Sequence, residues 1–355
     1  MPRGDDDEYD DSNRAFLQAF MARTTMTITE AKPVLAAILS VKDSETITAE
    51  TITEEDLHNY ISATNTAISP FDYEIRSIQP QTELEVPSSS QQDAAANSTE
   101  IPDRIFALVN TTSDAMTQLA TTFSADEIAF VKRVLDAMFE TYNTRRCEAM
   151  VISSMQALQL AKASSSDASR RESQLQGTQP GTPGGGSGGG GAAQSLTMTQ
   201  AETMLKQLVE QGWLEKSRKG YYRVSPRGLM ELRGWLVATY NEEVEGIRKI
   251  KFCAACKEII TVGQRCEDRD CLGRLHDHCI RRFFRMQKAE TCPACSKPWS
   301  GDKFVGERAI TRAEDPAAQR RRRRTSNTQP QAEAGPSTQV TIPAPDFDED
   351  EGVSE

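Results

Sequence analysis

The chain has 355 residues, enough for two or three domains, and 37% of them are hydrophobic. Its formal net charge of −11 argues against a protein that coats nucleic acid with its whole surface, and no apolar run approaches the roughly 20 residues of a bilayer span. Because the N-terminus has no apolar signal segment, we expect a soluble, intracellular protein in a reducing compartment, without membrane contact.

Charge is concentrated in three blocks near the ends of the chain. Residues 5–11 are almost all acidic, residues 320–324 are consecutive arginines, and residues 346–351 are again mostly acidic. Blocks of this kind are typical of disordered, solvated tails. We therefore predict an acidic disordered lead at residues 1–12 and a disordered tail at residues 300–355. The arginine run also fits a nuclear localisation signal, so we expect a nuclear protein.

A first domain is expected at residues 13–110, and it begins with helices. Apolar spacing predicts a helix over residues 13–22. Thr29 is expected to cap a second helix, and Thr53, together with Asp56, a third.

Two strands follow these helices. Alternating apolar residues predict strands at residues 73–78 and 104–110, separated by a long polar loop at residues 80–103. Three helices followed by a hairpin is the order of a winged-helix domain. The long loop would then be an expanded wing.

A second unit with the same order is expected at residues 111–245. Ser124 and Glu127 form a capping box that opens its first helix. A glycine-rich insertion at residues 164–194 has the composition of a flexible linker. Periodicity predicts further helices at residues 146–162, 199–211 and 226–240. Cys147 is expected to be a buried thiol on the first of these.

A hairpin with its turn near Lys219 and Gly220 forms the predicted wing of this unit. The wing is basic and is a candidate contact for a duplex DNA backbone, through Lys216, Arg218, Lys219 and Arg223. A solvated basic hairpin is an alternative interpretation. Because the helix at residues 199–211 carries more acidic than basic residues, we interpret both winged helices mainly as protein-docking modules.

A cluster of metal-ligand residues lies at residues 250–299. It holds two C-x-x-C pairs with an H-x-x-C between them. Zinc takes four nitrogen or sulfur ligands, so eight candidates suffice for two zinc ions. The candidates are Cys253, Cys256, Cys266, Cys271, His276, Cys279, Cys292 and Cys295.

Two alternatives exist for this cluster. A disulfide knot is disfavoured because the chain has no secretory signal. His278 could replace His276, but the H-x-x-C spacing favours His276. The segment has too few large apolar residues to fold without metal, so we expect a chelator to unfold it and to spare the preceding helices.

These residues resemble the RING and PHD group of zinc modules. The resemblance implies cross-braced pairing, in which the two sites use alternating pairs of ligands. It assigns the first zinc to Cys253, Cys256, His276 and Cys279, and the second to Cys266, Cys271, Cys292 and Cys295.

Longer stretches resemble one family, the non-SMC element 1 subunit of the structural-maintenance-of-chromosomes five-six complex. They are AFLQAFMAR at 15–23, FALVNTTSDAMTQLATTFSADEIAFVKRVLDAMF at 106–139, GWLEKSRKGYYRVSPRGLMEL at 212–232 and GRLHDHC at 273–279. The resemblance implies a mainly α fold with small β-hairpins, in which tandem winged-helix domains precede a cross-braced two-zinc variant RING.

The same resemblance implies partners and a role. A MAGE-type subunit and a kleisin subunit would complete a trimer on the SMC five-six heterodimer. The complex acts at chromatin in the nucleus, in chromosome maintenance and DNA repair by homologous recombination.

A RING implies E3 ubiquitin ligase activity without a catalytic nucleophile, because the domain positions a ubiquitin-charged conjugating enzyme. By position in the RING motif, the resemblance implies that the candidate contacts for that enzyme are Ala255, Pro293, Ala294 and Lys297, with Ser296 beside the last. Ile259 and Ile260 are further candidates, either as a shallow apolar patch with Pro293 or, alternatively, as residues that pack around the zinc. Ala255 is small, and no tryptophan precedes Cys292. The alternative function is therefore a non-catalytic scaffold.

Overall fold

The computed structural model describes residues 9–83, 102–112, 116, 119, 121–162, 195–241 and 248–314. The acidic lead up to residue 8, most of the loop at residues 80–103, the glycine-rich insertion and residues 315–355 lie outside the described residues. The predictions of disorder and of a nuclear localisation signal for those segments therefore remain predictions.

The N-terminal domain packs three helices against a small antiparallel sheet. Strand β3 is central, in the order β1-β3-β2, and β2 pairs with it from Tyr73 opposite Asn110 to Ile78 opposite Ile105. The elements are α1 (Asp11–Ala22), β1 (Met26–Thr27), α2 (Ile28–Asp43), α3 (Glu54–Ile68), β2 (Tyr73–Ile78) and β3 (Ile105–Asn110), with 3-10 turns at Ala49–Thr51 and Ser69–Phe71.

Capping boxes set the starts of α2 and α3. The Thr53 side chain accepts from the Asp56 amide, as predicted. Thr27, not Thr29, caps α2: its side chain accepts from the Glu30 amide, and the Glu30 carboxylate accepts from the Thr27 amide. The prediction of Thr29 was wrong because the T-x-x-E box that begins two residues earlier satisfies two backbone N–H groups at once.

The sheet of this domain is covered on both faces. Ile75 and Phe106 face the core of their own domain, which α1, α2 and α3 line with Phe16, Leu35 and Leu57. Residues one or three positions farther along the strands point the other way, and Ile78, Ala107 and Val109 join the core of the second domain. Because side chains alternate along a strand, β3 contributes to two cores.

The second domain repeats the arrangement, with a three-stranded sheet in the order β4-β6-β5. Gly220 takes φ +82 at the tip of the β5–β6 hairpin, at the predicted turn. The elements are α4 (Ala125–Asp136), which continues as a π-helix (Ala137–Thr141), β4 (Ile152–Ser153), α5 (Ser154–Gln159), α6 (Met198–Glu210), β5 (Leu214–Lys216), β6 (Tyr221–Val224), α7 (Pro226–Glu231) and α8 (Arg233–Tyr240). The fold class, two winged-helix units before a zinc module, is confirmed.

The predicted helix at residues 146–162 does not exist in that form. Only α5 is helical, and Cys147 lies half-buried in a turn rather than buried on a helix. Two features prevent a longer helix: Met150 takes φ +47, and the carbonyl of Glu148 accepts from the Gly306 amide, 158 residues away in the chain. The predicted helix at residues 226–240 is likewise divided at Leu232.

The zinc module extends beyond its predicted end at residue 299. It contains β7 (Gly263–Arg265), β8 (Arg274–Leu275), α9 (Asp277–Gln287), β9 (Phe304–Val305) and α10 (Glu307–Glu314), with β7 central in the sheet. Strand β9 pairs with β7, and Arg308 of α10 forms a buried ion pair with Asp277. The prediction that residues 300–314 belong to a disordered tail was therefore wrong, because these long-range contacts order them.

The zinc module shares a core with the second winged helix. Ile259, Ile260 and Val305 are at most 2% exposed and belong to the same cluster as Leu236 and Tyr240 of α8. Within the described part of the chain, no helix has both the length and the apolar character that crossing a membrane requires.

Candidate metal centre

The eight predicted ligand residues lie in two groups. Cys253, Cys256, His276 and Cys279 form one, and Cys266, Cys271, Cys292 and Cys295 form the other. Within each group all ligand atoms lie within 4.8 Å of one another. The groups take alternating pairs from the sequence, so the cross-braced arrangement is confirmed.

The two C-x-x-C pairs sit on matching turns. In the first, the Cys253 amide donates to the Glu258 carbonyl at 2.9 Å and Lys257 takes φ 64. In the second, the Cys292 amide donates to the Lys297 carbonyl at 2.8 Å and Ser296 takes φ 59. The left-handed residue after each pair closes a tight hairpin and turns both thiols to the same side.

The spacing of the sulfurs excludes disulfides and suits a metal. Cys266 Sγ lies 3.6 Å from Cys295 Sγ, and Cys271 Sγ lies 3.5 Å from Cys292 Sγ. A disulfide bond is about 2.05 Å long. Two thiolates on one tetrahedral zinc, each about 2.3 Å from the ion, stand about 3.8 Å apart.

Gly273 shapes the second group, a role that no metal-ligand motif in the sequence predicted. A Cβ at this position would lie 2.3 Å from Cys292 Sγ and 3.4 Å from Cys271 Sγ. Its amide also donates to Cys271 Sγ at 3.3 Å. A glycine two residues after a ligand cysteine was the available signal.

His276 faces the first group through Nδ1. This nitrogen lies 3.2 Å from Cys256 Sγ, and Nε2 lies 3.3 Å from the Ile259 carbonyl oxygen. A proton on Nε2 can donate to that carbonyl and leave the Nδ1 lone pair for a metal. His278 stacks on His276 at 5.0 Å but lies outside the group, so the geometry favours His276.

The pKa values reflect the close packing and burial of the thiols and of the His276 imidazole. Burial acts to lower the pKa of His276, but hydrogen bonds and charges from Cys253 and Cys256 raise it to about 9. Burial raises the pKa of Cys271 to about 12. A metal ion must displace protons from such thiols, so binding is favoured by neutral or higher pH.

The donor sets fit zinc. Three thiolates with one imidazole, and four thiolates, are both sets that hold structural zinc with all four positions filled by protein. The prediction of two zinc ions is therefore confirmed as the cofactor that these groups fit. When bound, the ions supply the fixed cross-links that hold the short loops of the module in place.

Comparison with known families agrees with the fold and the metal centre. Residues 13–232, more than half of the chain, match the family described as "Nse1 non-SMC component of SMC5-6 complex". The chain belongs to the Nse1 family. Residues 253–295 also match a family described as "RING-like domain".

Named relatives of this Nse1-family chain are diverse. It is 23% identical over 195 residues to the "Non-structural maintenance of chromosomes element 1 homolog" of Homo sapiens, a match that spans 55% of this chain and 58% of that protein. It is 23% identical over 257 residues to the "Non-structural maintenance of chromosomes element 1" of Schizosaccharomyces pombe, spanning 72% of this chain and 82% of that protein.

A solved structure shares the fold. It is described as "Nse1-Nse3-Nse4 complex" and is similar with a TM-score of 0.55 and 19% sequence identity. The similarity covers 82% of this chain and 98% of that chain.

In this Nse1-family chain, an ion pair between Glu148 of the second winged helix and Arg274 of the zinc module lies beside both metal groups. Arg274 is fully buried and donates Nε and Nη2 to the Glu148 carboxylate at 2.7 and 2.5 Å. Its Nη1 donates to the carbonyls of Cys271 and Gly273, both at 2.8 Å, beside the second group. The Arg274 carbonyl accepts from the Ala254 amide, between the first two ligands.

Glu148 and Arg274 were missed by the sequence analysis. They lie 126 residues apart in the chain. Arg274 belongs to the GRLHDHC stretch, but nothing in that stretch indicates Glu148 as its partner. Lys251 also pairs with Glu148, which is 3% exposed. Only the folded chain brings these charges together.

The structure separates the candidate contacts for a conjugating enzyme into accessible and inaccessible residues. Ala255 and Ala294 are exposed and Pro293 is half-buried. Ile259 and Ile260 are 2% and 0% exposed, so of the two alternatives the accessible patch is contradicted and burial holds. They pack in the core shared with the second winged helix, because large apolar side chains are stabilised more by burial than by exposure to water.

The remaining candidate at this surface, Lys297, is exposed and pairs with Asp268 at 2.8 Å. The predicted DNA-contacting wing is partly neutralised. Arg223 pairs with Glu215 at 2.8 Å, and Lys219 lies 3.7 Å from Glu307. Lys216 lies over the Tyr222 ring.

Proposed function

We propose that this chain is a RING-type E3 ubiquitin ligase subunit of an SMC five-six complex. The observation that carries the proposal is the pair of matched zinc-holding turns, which present Ala255 and Ala294 to solvent with Pro293 between the second pair of ligands. A ligase of this kind needs a rigid surface and no nucleophile. It binds a ubiquitin-charged conjugating enzyme and holds the thioester near a lysine of the substrate.

The site residues in this proposal have two roles. The eight ligands hold two zinc ions and make the turns rigid, and the exposed residues Ala255, Pro293, Ala294 and Lys297 touch the conjugating enzyme. Small side chains at the turns leave a shallow surface. We infer that activity depends on stimulation by partner subunits, because shallow surfaces make few contacts.

The partners in the proposal are a MAGE-type subunit and a kleisin. A solved chain of similar fold is described as part of an "Nse1-Nse3-Nse4 complex", which supports this choice. Several large apolar side chains are exposed on the first winged helix, where a partner could cover them: Met21, Val41 and Phe71 are 69%, 82% and 72% exposed. We place the assembly in the nucleus, on chromatin, in DNA repair by homologous recombination.

A scaffold without ligase activity is the second candidate. The observation that favours it is the burial of Ile259 and Ile260, which leaves alanines and one proline as the apolar residues at the two turns. On this account the zinc module joins the winged helices and binds partners.

The deciding experiment is discharge of ubiquitin from charged conjugating enzymes onto free lysine. The chain is assayed alone and in a trimer with its MAGE-type and kleisin partners, against a panel of conjugating enzymes. A ligase accelerates discharge with at least one enzyme, whereas no acceleration by the trimer with any enzyme would establish the scaffold.

Variants make this experiment specific. Ala294→Asp and Pro293→Ala should slow discharge while two zinc ions remain bound, because they change the surface and not the ligands. Cys295→Ala is the matched loss-of-zinc control. If Ala294→Asp in the trimer discharged as fast as wild type, the proposed contact surface would be wrong.

A further inference from the structure

Helix α9 carries a dense group of positive charges. Arg281, Arg282 and Arg285 lie on the helix, Lys288 is its C-cap, and all four are exposed. No acidic residue occurs from residue 278 to residue 289. With 3.6 residues per turn, the four positions fall within about 120° of the helix circumference. They form one continuous basic face, which we call the α9 basic face.

Neighbouring acidic groups do not neutralise most of this charge. In the described ranges of the chain, no carboxylate pairs with Arg282, Arg285 or Lys288. The basic wing differs, because Arg223 and Lys219 have acidic partners. A chain with a net charge of −11 therefore presents a basic surface on its zinc module in which Arg282, Arg285 and Lys288 have no carboxylate partner among the described residues.

The helix that carries this face is held firmly. Its N-cap is the ligand His276, and its first turn contains the ligand Cys279. On another side, Phe284 packs edge-to-face on Trp299 with ring centroids 5.9 Å apart. The basic side chains thus extend from a backbone fixed by metal ligands and aromatic packing, which lowers the entropic cost of binding.

We propose that the α9 basic face binds the phosphate backbone of duplex DNA. At about 1.5 Å rise per residue, the face extends about 10 Å from Arg281 to Lys288. Duplex DNA carries one negative charge per about 1.7 Å of its axis, so several phosphates lie within reach of these side chains. The guanidinium group matches phosphate oxygens with two parallel N–H donors. Backbone contacts of this kind hold DNA without reading its sequence.

The proposed DNA contact lies on the zinc module, whereas the sequence predicted a contact through the wing of the second winged helix. It rests on the proposed function only in that a subunit of a chromosomal complex meets DNA, and it does not require ligase activity. An acidic protein segment would be attracted in the same way, but guanidinium groups held on one rigid helix match the fixed array of backbone phosphates better.

The test is binding of the full-length chain to a fluorescent DNA duplex, measured by anisotropy over a series of salt concentrations. The variant combines Arg282→Gln, Arg285→Gln and Lys288→Gln. Loss of three phosphate contacts should weaken binding about tenfold or more and lower the slope of log affinity against log salt by about 2 to 3. Residues 320–324 are unchanged in both chains, so their contribution is common to both measurements.

The matched control changes the wing, with Lys216→Gln and Arg218→Gln. It should retain the affinity and salt slope of the wild type, and both variants should retain two zinc ions. An unchanged slope in the α9 variant, or an equal loss in the wing variant, would overturn the proposal. The proposal would also be overturned if the α9 variant bound the duplex normally and lost affinity only for a poly-glutamate peptide. The α9 basic face would then bind an acidic protein. Ubiquitin discharge is scored separately, so failure of the ligase proposal is distinguishable from failure of this one.

Discussion

At Gly273 the absence of a side chain makes room for a metal ligand. The Cys292 sulfur occupies the space that a Cβ would fill. A glycine is therefore needed at this position for a steric reason. The two turns that carry the C-x-x-C pairs constrain the backbone and not the volume of a side chain. Lys257 and Ser296 take positive φ there.

We expect Gly273→Ala to lose one zinc ion and to keep the other. The new methyl carbon would lie 2.3 Å from Cys292 Sγ, which forces that ligand out of the second group. Native mass spectrometry of the purified chain should show one zinc ion per chain in place of two. Gly234→Ala is the matched control, since no atom lies within 4 Å of its added carbon. Two zinc ions on Gly273→Ala would show that the loop can yield.

A second residue, Glu148, neutralises the positive charges of Arg274 and Lys251, which would be unfavourable if buried alone. Glu148→Gln keeps the shape of the side chain and leaves Arg274 buried without its countercharge. Breaking a buried pair in this way costs about 3 to 5 kcal/mol. We expect urea unfolding to show a loss of this order. Asp270→Asn breaks the exposed pair with Arg145 and should cost under about 1 kcal/mol.

The effect of Glu148→Gln should depend on pH. Burial acts to raise the pKa of Glu148, but Arg274 and then Lys251 lower it below the ordinary value. A lowered pKa in the folded state means that the carboxylate stabilises the fold fully above the unfolded pKa of about 4.3. That stabilisation is lost as pH falls through the folded pKa. The gap in unfolding free energy between wild type and variant should therefore close in acid, and a gap that stays constant would contradict this account.

Among the elements, the loop after β2 has a role that its polar composition does not reveal. Gln81 is 6% exposed and inserts its side chain into the zinc module. Its Oε1 accepts from the amides of Thr261 and Val262 at 2.8 and 3.0 Å. Its Nε2 donates at 2.7 Å to the Ile259 carbonyl, the same group that His276 Nε2 faces. The loop thus links the first winged helix to the first metal group.

Gln81→Ala should loosen this link. The change leaves buried amides without an acceptor, which costs about 1 to 3 kcal/mol for each unsatisfied group. We expect the amides of Thr261 and Val262 to exchange hydrogen about tenfold faster or more, measured by mass spectrometry or NMR. Gln79→Ala is the control, because the Gln79 side chain donates to the Pro102 carbonyl within its own domain. Equal exchange in the two variants would refute the role assigned to Gln81.

The elements also show where periodicity misleads. Residues 150–158 have apolar side chains at helical spacing, yet the chain passes through a turn, a short strand and a short helix there. Met150 and Val151 are buried in the shared core from a non-helical backbone. Burial alone explains their apolar character, so the pattern did not require a helix.

At the scale of the whole molecule, the second winged helix and the zinc module behave as one packed body. Ile250, Ile259 and Ile260 lie in the cluster that includes α8, whereas the core lined by Phe16 and Leu35 is separate. This arrangement changes the expected result of chelation. Loss of zinc should loosen Ile259 and Ile260, and these residues are part of the core of the second winged helix.

We therefore expect a strong chelator to unfold more than residues 253–299. Amide exchange should rise in α8 (Arg233–Tyr240) together with the zinc module, while α2 (Ile28–Asp43) stays protected. Hydrogen exchange with mass spectrometry, before and after chelation, measures both regions in one experiment. Protection in α8 that survives complete removal of zinc would show that the two cores are independent.

Local signals in the sequence were sufficient for much of the fold and for the metal ligands. The capping boxes at Thr53 and Ser124, the β2 and β3 strands and the C-x-x-C pairs act over a few residues, so their chemistry can be read directly from the spacing. The resemblance to RING modules supplied the cross-braced pairing, which spacing did not prove.

Contacts between distant parts of the chain left no such signal. Glu148 meets Arg274 across 126 residues, Gln81 meets Val262 across 181, and β9 joins β7 from a segment whose composition resembles a tail. None of these pairings has a period or a spacing, because each depends on how whole elements pack. Ile259 and Ile260 are buried for the same reason. The exposure of a side chain depends on its neighbours in space, and the sequence gives only its neighbours in the chain.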